Sequence, residues 1–537
     1  MTLDPVTLSV MTSALIGVAE EMGTVLVRSA FSSNIKERRD CSAALFDPRG
    51  RLVAQAEHIP VHLGAMPESV AAVMARDPRP GDVFVLNDPY TGGTHLPDVT
   101  LVGPLTVEDR PVGFAVTRAH HSDLGGMVPG SMPSASRDLW QEGLVIPPVR
   151  LVTGGELDED LFAVILANSR TPRLRRGDFK AQLAAGRLAG LRLAELTARR
   201  GLDTVLAAYD EVISYTERRA RDAVGVLPDG TYRARGELEG DGVTEDDIAL
   251  AVAVTVAGDR MRVDFTGTAD AVEGNVNCPL AVTRSACYFA LRVLLPDDVP
   301  ANAGTYAPLE IVAPEGSLVN ARPPHAVVAG NVETSQRLAD TILAALAEVA
   351  DVPAAGQGTM NNVVIGGAGW TYYETIAGGQ GGSRRGPGPS GVHVGMTNTL
   401  NTPIEALELE YPMRVEQYEL IDGSGGAGHH RGGDGIVRSI RVLEPATVSL
   451  LTDRRRHPPA GARGGAPGSV GCNLLGPLAP DDVLPPPTDL APHGVGSPAR
   501  QARRNVLPAK TTRSLAAGDV LTVVTPGGGG WGAPDTD

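Results

Sequence analysis

The amino-acid sequence predicts an α+β fold in which several regions of mixed sheet accompany an N-terminal helix and a helical hairpin. Apolar residues recur every three or four positions between residues 5 and 30, which is typical of an amphipathic helix. Residues 178–224 show a similar pattern that is interrupted at Gly201, which indicates two helices joined by a tight turn. Strand-like runs elsewhere do not alternate regularly with helices, and this argues against a parallel α/β sheet.

The remaining elements follow in order along the chain. Short apolar runs predict early strands at 43–46, Val83–Leu86 and 113–116. Beyond residue 226, alternating sequences predict a strand at 231–235 and a hairpin of 248–256 with 261–265. Helices are predicted at 281–295 and 335–350, and a strand followed by a glycine turn at 522–532.

The chain has 537 residues, enough for two to four domains of about 100–200 residues each. The patterns predict four regions. Residues 1–225 form a metal-site region with the N-terminal helix and the hairpin, and residues 226–473 form a mixed β/α region. Residues 474–504 form an insertion rich in proline and glycine, and residues 505–537 form a C-terminal strand and glycine turn.

Composition and charge exclude some classes of partner. The chain carries 47 lysines and arginines against 63 aspartates and glutamates, a net charge of −16, and its arginine clusters are short. We therefore expect it to bind neither nucleic acid nor a membrane surface. The four cysteines lie far apart and form no C-x-x-C pair. With no recognisable leader sequence, this favours a reducing, cytoplasmic location.

The stretch 87–126 contains two H-x-x-D pairs, His95 with Asp98 and His120 with Asp123. Each pair comes after a predicted strand, on a glycine-rich loop. Imidazole nitrogen and carboxylate oxygen suit a divalent metal ion such as zinc, manganese or iron, and loops let donors from separate strands converge. The alternative interpretation is a pair of capped turns, in which the aspartates bind local backbone N–H groups.

Other polar residues of the first region are ambiguous from sequence alone. Asp40 precedes a predicted strand, so it either points into a site or forms a surface ion pair with a neighbouring arginine. His58 and His62 have a spacing that is common for ligands on a helix, but Pro60 lies between them and argues against a helix interior. We therefore interpret both histidines as residues of a loop or of the surroundings of a site.

The sequence has no standard phosphate-binding loop. G-x-x-x-x-G-K-[ST] is absent, and the G-x-G-x-x-G run at 423–428 continues as loop through His429 and His430 instead of opening a helix. A dinucleotide site there is not expected.

Many short motifs follow one another along the chain, at residues 37–42, 56–64, 87–90, 94–98, 119–126, 264–268, 274–277, 401–405, 411–416, 431–435 and 525–530. In this order they resemble the motifs of the hydantoinase B/oxoprolinase family. They span nearly the whole chain. The sequence departs from the family pattern in its longer, proline-rich segment 474–504 and at His429–His430.

The resemblance implies a division of labour between two subunits. A partner of the hydantoinase A type would bind ATP and phosphorylate the substrate, and this chain would hold a metal ion. The family pattern places metal ligands at Asp40, His95 and His120, with Asp123 as the fourth. Asp123 or His121 would then orient a water molecule or act as a base.

Three further residues are expected around this site, and for Asp98 direct binding of the metal is the alternative. Asp98, Glu57 and His58 would hold the ligands in place.

The function implied by the resemblance is that of the B subunit of an ATP-dependent cyclic-amide hydrolase acting on 5-oxoproline, a hydantoin or a related lactam, within a hetero-oligomer. A second prediction from the same family is the metal-binding subunit of an ATP-dependent ketone carboxylase. A third is a metal-binding assembly subunit without catalytic residues.

Overall fold

The computed structural model describes residues 3–56, 59–476 and 505–534. Glu57 and His58 lie outside the described residues, as does most of the predicted insertion 474–504. The first two residues of that segment, Leu474 and Leu475, belong to a strand. Within the described residues the fold is α+β, as predicted, with four sheets and an N-terminal helix.

The first region is a seven-stranded antiparallel sheet flanked by helices. Its strands lie in the order β2-β1-β5-β4-β3-β6-β7. The strands are β1 Cys41–Phe46, β2 Leu52–Ala56, β3 Val83–Leu86, β4 Asp98–Val107, β5 Arg110–His120, β6 Val149–Thr153 and β7 Glu156–Leu157. The helices are α1 Pro5–Ser29, α2 Ser33–Lys36, α3 Met66–Met74, α4 Leu139–Glu142, α5 Glu159–Ala167, α6 Pro172–Arg200 and α7 Leu202–Gly225. The hairpin α6–α7 breaks at Gly201, which confirms the predicted position.

Helix α1 is the N-terminal helix that the periodicity predicts. Its first turn is capped by Asp4, whose carboxylate accepts hydrogen bonds from the N–H groups of residues 6 and 7. By length and composition α1 is apolar enough to span a membrane. However, Met11, Leu15 and Met22 on one face are buried in a core shared with the sheet and with α6 and α7. This is the behaviour of a core helix.

The central strands of this sheet are covered on both faces. Ala43 and Leu45 of β1 pack towards α1, α6 and α7, whereas Phe46 packs into the larger core that the sheet shares with the middle of the chain. Because successive strand residues point to opposite faces, this accounts for the continuous apolar run 43–46. Polar side chains at the ends of these strands therefore stand out as candidates for function.

The middle region is a four-stranded sheet packed on two helices. It contains β8 Gly230–Glu239, β9 Asp247–Ala257, β10 Arg260–Asp264, α8 Leu280–Leu294, β11 Leu309–Val312 and α9 Ser335–Leu346. β9 and β10 form the predicted antiparallel hairpin. α9 ends four residues before the predicted end, and a π-helical turn, Gly330–Thr334, leads directly into it.

Two further sheets complete the chain. The elements are β12 Asn362–Gly367, β13 Trp370–Thr375, α10 Ile404–Glu410, β14 Met413–Leu420, β15 Ile436–Val442, β16 Ala446–Leu451, β17 Cys472–Leu475, β18 Asn505–Leu507, β19 Lys510–Leu515 and β20 Val520–Val524. The sheets have the orders β13-β12-β16-β19 and β14-β15-β20-β17-β18. They share an apolar core that includes Val363, Ile440 and Leu521.

Glycine-rich stretches of the C-terminal half pack against one another backbone to backbone. Their N–H groups donate to carbonyl oxygens of neighbouring stretches, as Gly433 does to Gln380, Gly528 to Gly433 and Gly426 to Gly528. A Cβ atom at Gly425 or Gly426 would lie 2.0 or 2.2 Å from a carbonyl oxygen. Close backbone packing is therefore the reason for these glycines of the G-x-G-x-x-G run.

We expect Gly432→Ala to destabilise the protein by about 3 kcal/mol or more, because overpacking against backbone is costly. A Cβ atom at Gly432 would lie 1.9 Å from the carbonyl oxygen of Gly528, which cannot move without its neighbours. The free energy of unfolding in urea measures the effect. Gly17→Ala is the matched control, because a Cβ there meets nothing within 4 Å and alanine favours the helix. Equal stability of the two variants would contradict the role of backbone packing.

Candidate metal centre

The register of two strands places an aspartate opposite a histidine. β4 pairs with β5 so that Asp98, the first residue of β4, faces His120, the last residue of β5. His95 comes from the short loop that leads into β4, and His62 comes from a 3-10 turn, Pro60–His62. All four side chains are buried. Two strand ends, a loop and a turn thus bring three imidazole rings around one carboxylate.

The carboxylate of Asp98 is the centre of this cluster. Its Oδ1 lies 3.1 Å from Nε2 of His95 and 3.2 Å from Nδ1 of His120. Its Oδ2 lies 3.4 Å from Nε2 of His62 and accepts a hydrogen bond of 2.6 Å from Thr94. Burial acts to raise the pKa of Asp98, but the charge of His95 and hydrogen bonds from the histidines outweigh it and hold the pKa well below its ordinary value. Asp98 is therefore ionised.

Backbone and side-chain contacts fix two of the rings. Nδ1 of His95 lies 3.3 Å from the carbonyl oxygen of Val328, so its Nε2 is the atom that faces Asp98. The N–H of Val328 donates in turn to the buried carboxylate of Glu142. Nδ1 of His62 lies 2.9 Å from the hydroxyl of Ser42. These contacts leave Nε2 of each ring directed at the cluster.

His120 is held from several sides but keeps one free nitrogen. Its ring stacks on Tyr373 with the centroids 4.3 Å apart, its carbonyl oxygen accepts from Nδ2 of Asn34, and its N–H donates to the carbonyl oxygen of Asp40. Burial lowers the pKa of His120, although Asp98 and Asp40 act in the opposite direction. Nε2 of His120 is buried and has no hydrogen-bond partner among the described residues.

A small cavity of about 20 Å³ adjoins the cluster, which is room for a single water molecule or ion. Polar and apolar side chains from both halves of the chain line it. They are Asp40, Ile59, Val61, His62, His95, Asp98, His120, Asn331, Val332, Met360, Tyr373, Thr375, Thr397 and Thr399. Asp40, which the family pattern singles out, thus lies at the same cavity as the two predicted histidines.

The structure places Asp123 and His121 elsewhere. Asp123 is absent from the residues that line the cavity, and both of its carboxylate oxygens are engaged. Oδ1 accepts from the N–H groups of Gly125 and Arg170, and Oδ2 accepts from the N–H of Gly130 and from the guanidinium of Arg170. This is the loop-capping arrangement that the sequence leaves open as the alternative for the H-x-x-D pairs.

The ring of His121 lies away from the cavity. It packs against Phe179, and its Nε2 lies 3.0 Å from Oε1 of Gln182. Burial and the nearby charge of Arg175 lower the pKa of His121 to about 4, so the ring is neutral at neutral pH. His120 and His121 face opposite sides of the sheet because adjacent residues alternate.

The cluster matches what a tetrahedral divalent ion requires. The ligand atoms of His95, Asp98 and His120 all lie within 4.8 Å of one another, and Nε2 of His95 lies 3.3 Å from Nδ1 of His120. Ligand atoms on zinc with bonds of about 2.0–2.1 Å are separated by about 3.3 Å. The carboxylate of Asp40 at the same cavity adds a further donor. The donor set therefore fits a metal ion.

Comparisons with known proteins find relatives along nearly the whole chain. A protein of Methanocaldococcus jannaschii is 39% identical over 99% of this chain and 91% of its own length. 5-Oxoprolinase 1 of Arabidopsis thaliana is 38% identical over 99% of this chain but only 42% of its own length. A Pseudomonas protein provisionally named as the B subunit of a D-/L-hydantoinase is 34% identical over 99% of this chain and 90% of its own length.

Two solved structures share the fold. The crystal structure of an ATP-dependent caprolactamase from Pseudomonas jessenii has a TM-score of 0.87 at 27% identity, covering 99% of this chain and 92% of that one. An acetone carboxylase in a nucleotide-free structure has a TM-score of 0.86 at 19% identity, covering 98% and 76%, and shows likeness of fold alone.

One family matches residues 4–534 of this chain. The proteins similar to this chain include a 5-oxoprolinase and an ATP-dependent caprolactamase. This chain belongs to the hydantoinase B/oxoprolinase family.

Proposed function

We propose that this chain is the metal-binding B subunit of an ATP-dependent cyclic-amide hydrolase and acts beside an ATP-binding partner. The observation that carries the proposal is the convergence of His95, Asp98 and His120 at a buried cavity. A catalytic metal site keeps one position open for water or substrate, and the cavity beside this cluster has room for one small species.

The proposed ligands are His95, His120 and Asp98, with Asp40 at the same cavity completing the set. A bound divalent ion, whether zinc, manganese or iron, would supply Lewis acidity to a water molecule and to the carbonyl group of the substrate. Other residues of the chain would orient the ligands. His62 and Thr94 bind Oδ2 of Asp98 and so direct Oδ1 to the two imidazoles.

The proposed substrate class rests on the relatives. Their names refer to oxoproline, hydantoin and caprolactam, which are all cyclic amides. An unactivated amide resists hydrolysis, so consumption of ATP to phosphorylate its oxygen would make that oxygen a better leaving group. The chain spans 41–42% of the eukaryotic relatives but 90–91% of the archaeal and Pseudomonas proteins. This supports a partner chain that supplies the ATP-binding part.

We expect the complex of this chain with its ATP-binding partner to open a cyclic amide in the presence of ATP and without bicarbonate. The assay measures ring opening of 5-oxoproline, hydantoin and caprolactam by chromatography, with ADP release measured in parallel. Strict dependence on bicarbonate together with a ketone substrate would instead indicate a carboxylase and would contradict the proposal.

His95→Ala and His120→Ala are each expected to weaken metal binding by more than about 100-fold. Loss of a ligand should exceed the factor of about 10–100 that loss of an outer hydrogen-bond partner costs. Elemental analysis and titration of the metal into the full chain measure the effect. His457→Ala is the matched control, because His457 lies on the surface beside Asp247. Wild-type metal content and full turnover in both site variants would contradict the proposal that His95 and His120 bind the metal ion.

The two aspartates of the H-x-x-D pairs are expected to behave differently. Asp98→Asn should lose the metal. Asp123→Asn should keep the metal but lower the free energy of unfolding by about 1.5–3 kcal/mol, because it weakens hydrogen bonds to a buried carboxylate. Metal analysis and urea unfolding of both variants check this. The reverse pattern would restore Asp123 as a ligand and remove Asp98 from the set.

A further inference from the structure

One polar side chain at the metal cavity has no function in the arrangement described so far. Asn331 lies in the π-helical turn Gly330–Thr334, is only 3% exposed, and lines the cavity together with Asp40 and His95. Its Oδ1 has no hydrogen-bond partner among the described residues. A buried amide oxygen without a partner lowers stability, so its presence calls for an explanation.

Two buried asparagines, Asn277 and Asn362, provide a comparison. Asn277 accepts from the N–H of Val272 and donates to three carbonyl oxygens. Asn362 accepts from the hydroxyl of Tyr373 and donates to Glu333 and to the carbonyl oxygen of Leu451. Both amides are saturated. That of Asn331 is not, and a π-turn inside a helix is a feature frequently found at functional sites.

The chemistry of a carboxamide identifies a matching ligand. A carboxamide offers one acceptor and one donor group in a plane. The amide of a small ring is held cis, so its carbonyl oxygen and its nitrogen share one edge. Asn331 can bind the ring nitrogen with or without its proton. Oδ1 of Asn331 accepts a hydrogen bond from N–H, and Nδ2 donates one to a nitrogen that has lost its proton. A ketone has no such nitrogen.

We propose that Asn331 recognises the ring nitrogen of the cyclic amide. This proposal rests on the proposed function and deepens it, because it assigns the residue that separates cyclic amides from ketones. The substrate carbonyl then faces the cluster of His95, Asp98 and His120. A ligand that has no ring nitrogen leaves the buried amide of Asn331 unpaired. A buried polar group left without a partner discriminates effectively between similar ligands.

A ring needs more room than the cavity of about 20 Å³ provides. Part of the wall, Thr397 and Thr399, comes from the long connection between β13 and α10, in which the structure shows neither helix nor strand. Binding of a ring beside Asn331 therefore requires Thr397 and Thr399 to move, whereas Asn331 keeps its place in the turn before α9.

The test compares three rings of nearly equal size on the full, metal-containing chain. Pyrrolidinone has a ring N–H, cyclopentanone has CH₂ in its place, and γ-butyrolactone has oxygen. Ligand-observed NMR titration measures their dissociation constants. We expect the wild type to bind pyrrolidinone about tenfold more tightly than the other two, as one well-made hydrogen bond allows. Equal binding of the three rings, or binding of none, overturns the proposal.

Asn331→Leu, which keeps the side-chain size, is expected to bind the three rings equally while retaining its metal content. Asn331→Ala provides a second variant in case leucine disturbs folding. Asn398→Leu is the matched control, because Asn398 is exposed beside the same wall, and it should keep the tenfold preference. Persistence of the preference in the Asn331 variants, or loss of metal from them, overturns the assignment.

Failure of the proposed function gives a different result. If the complex with its partner opens no cyclic amide, but the wild type still prefers pyrrolidinone and the Asn331 variants do not, the hydrolase proposal fails and the assignment of Asn331 stands. If cyclic amides are opened and Asn331→Leu retains the full rate and the preference, the hydrolase stands and Asn331 is not its selecting residue.

Discussion

The buried carboxylate of Asp98 is the group on which the rest of the site depends. An isolated charge at this depth would be expelled or neutralised, and a buried ion whose partner is removed costs about 3–5 kcal/mol. Here His95, His120 and His62 surround it, and Thr94 donates to it. The carboxylate and the imidazoles depend on each other. Contacts with Asp98 orient the three rings, and the rings lower the pKa of Asp98, so that its carboxylate stays ionised.

This constraint extends into parts of the chain that are far away in sequence. Tyr373 of β13 stacks on His120. Arg38 donates to the carbonyl oxygen of Tyr373 and to Asn34, and Asn34 donates to the carbonyl oxygen of His120. Together with Asn331, these contacts mean that the site is assembled from residues on both sides of residue 225, where the sequence patterns place a region boundary. Close packing of the glycine-rich stretches therefore matters for the site, because it holds the half of the chain that supplies this wall.

The sequence predicts the elements well and the partners of the aspartates poorly, for a physical reason. Periodicity reports on one element at a time, so α1, the break at Gly201 and the β9–β10 hairpin are accessible to it. The two H-x-x-D pairs look alike in sequence and differ only through tertiary contacts. The strand register places Asp98 opposite His120, whereas Asp123 accepts a hydrogen bond from Arg170, 47 positions away. His62 is easily undervalued because Pro60 excludes an α-helix, although proline readily begins a short 3-10 turn.

Selection of the substrate cannot be read from the fold. A caprolactamase and an acetone carboxylase superpose on this chain about equally well, with TM-scores of 0.87 and 0.86. The same fold thus serves proteins whose names imply different substrates, so the shared fold by itself does not determine the substrate. The strand ends supply a cluster suited to any polarised carbonyl group. Under the proposed assignment of Asn331, a lactam and a ketone would meet different atoms at the part of the cavity wall drawn from the π-turn, β13 and the connection to α10. Residues of that part of the wall, and not the histidines and Asp98, would then distinguish one carbonyl compound from the other.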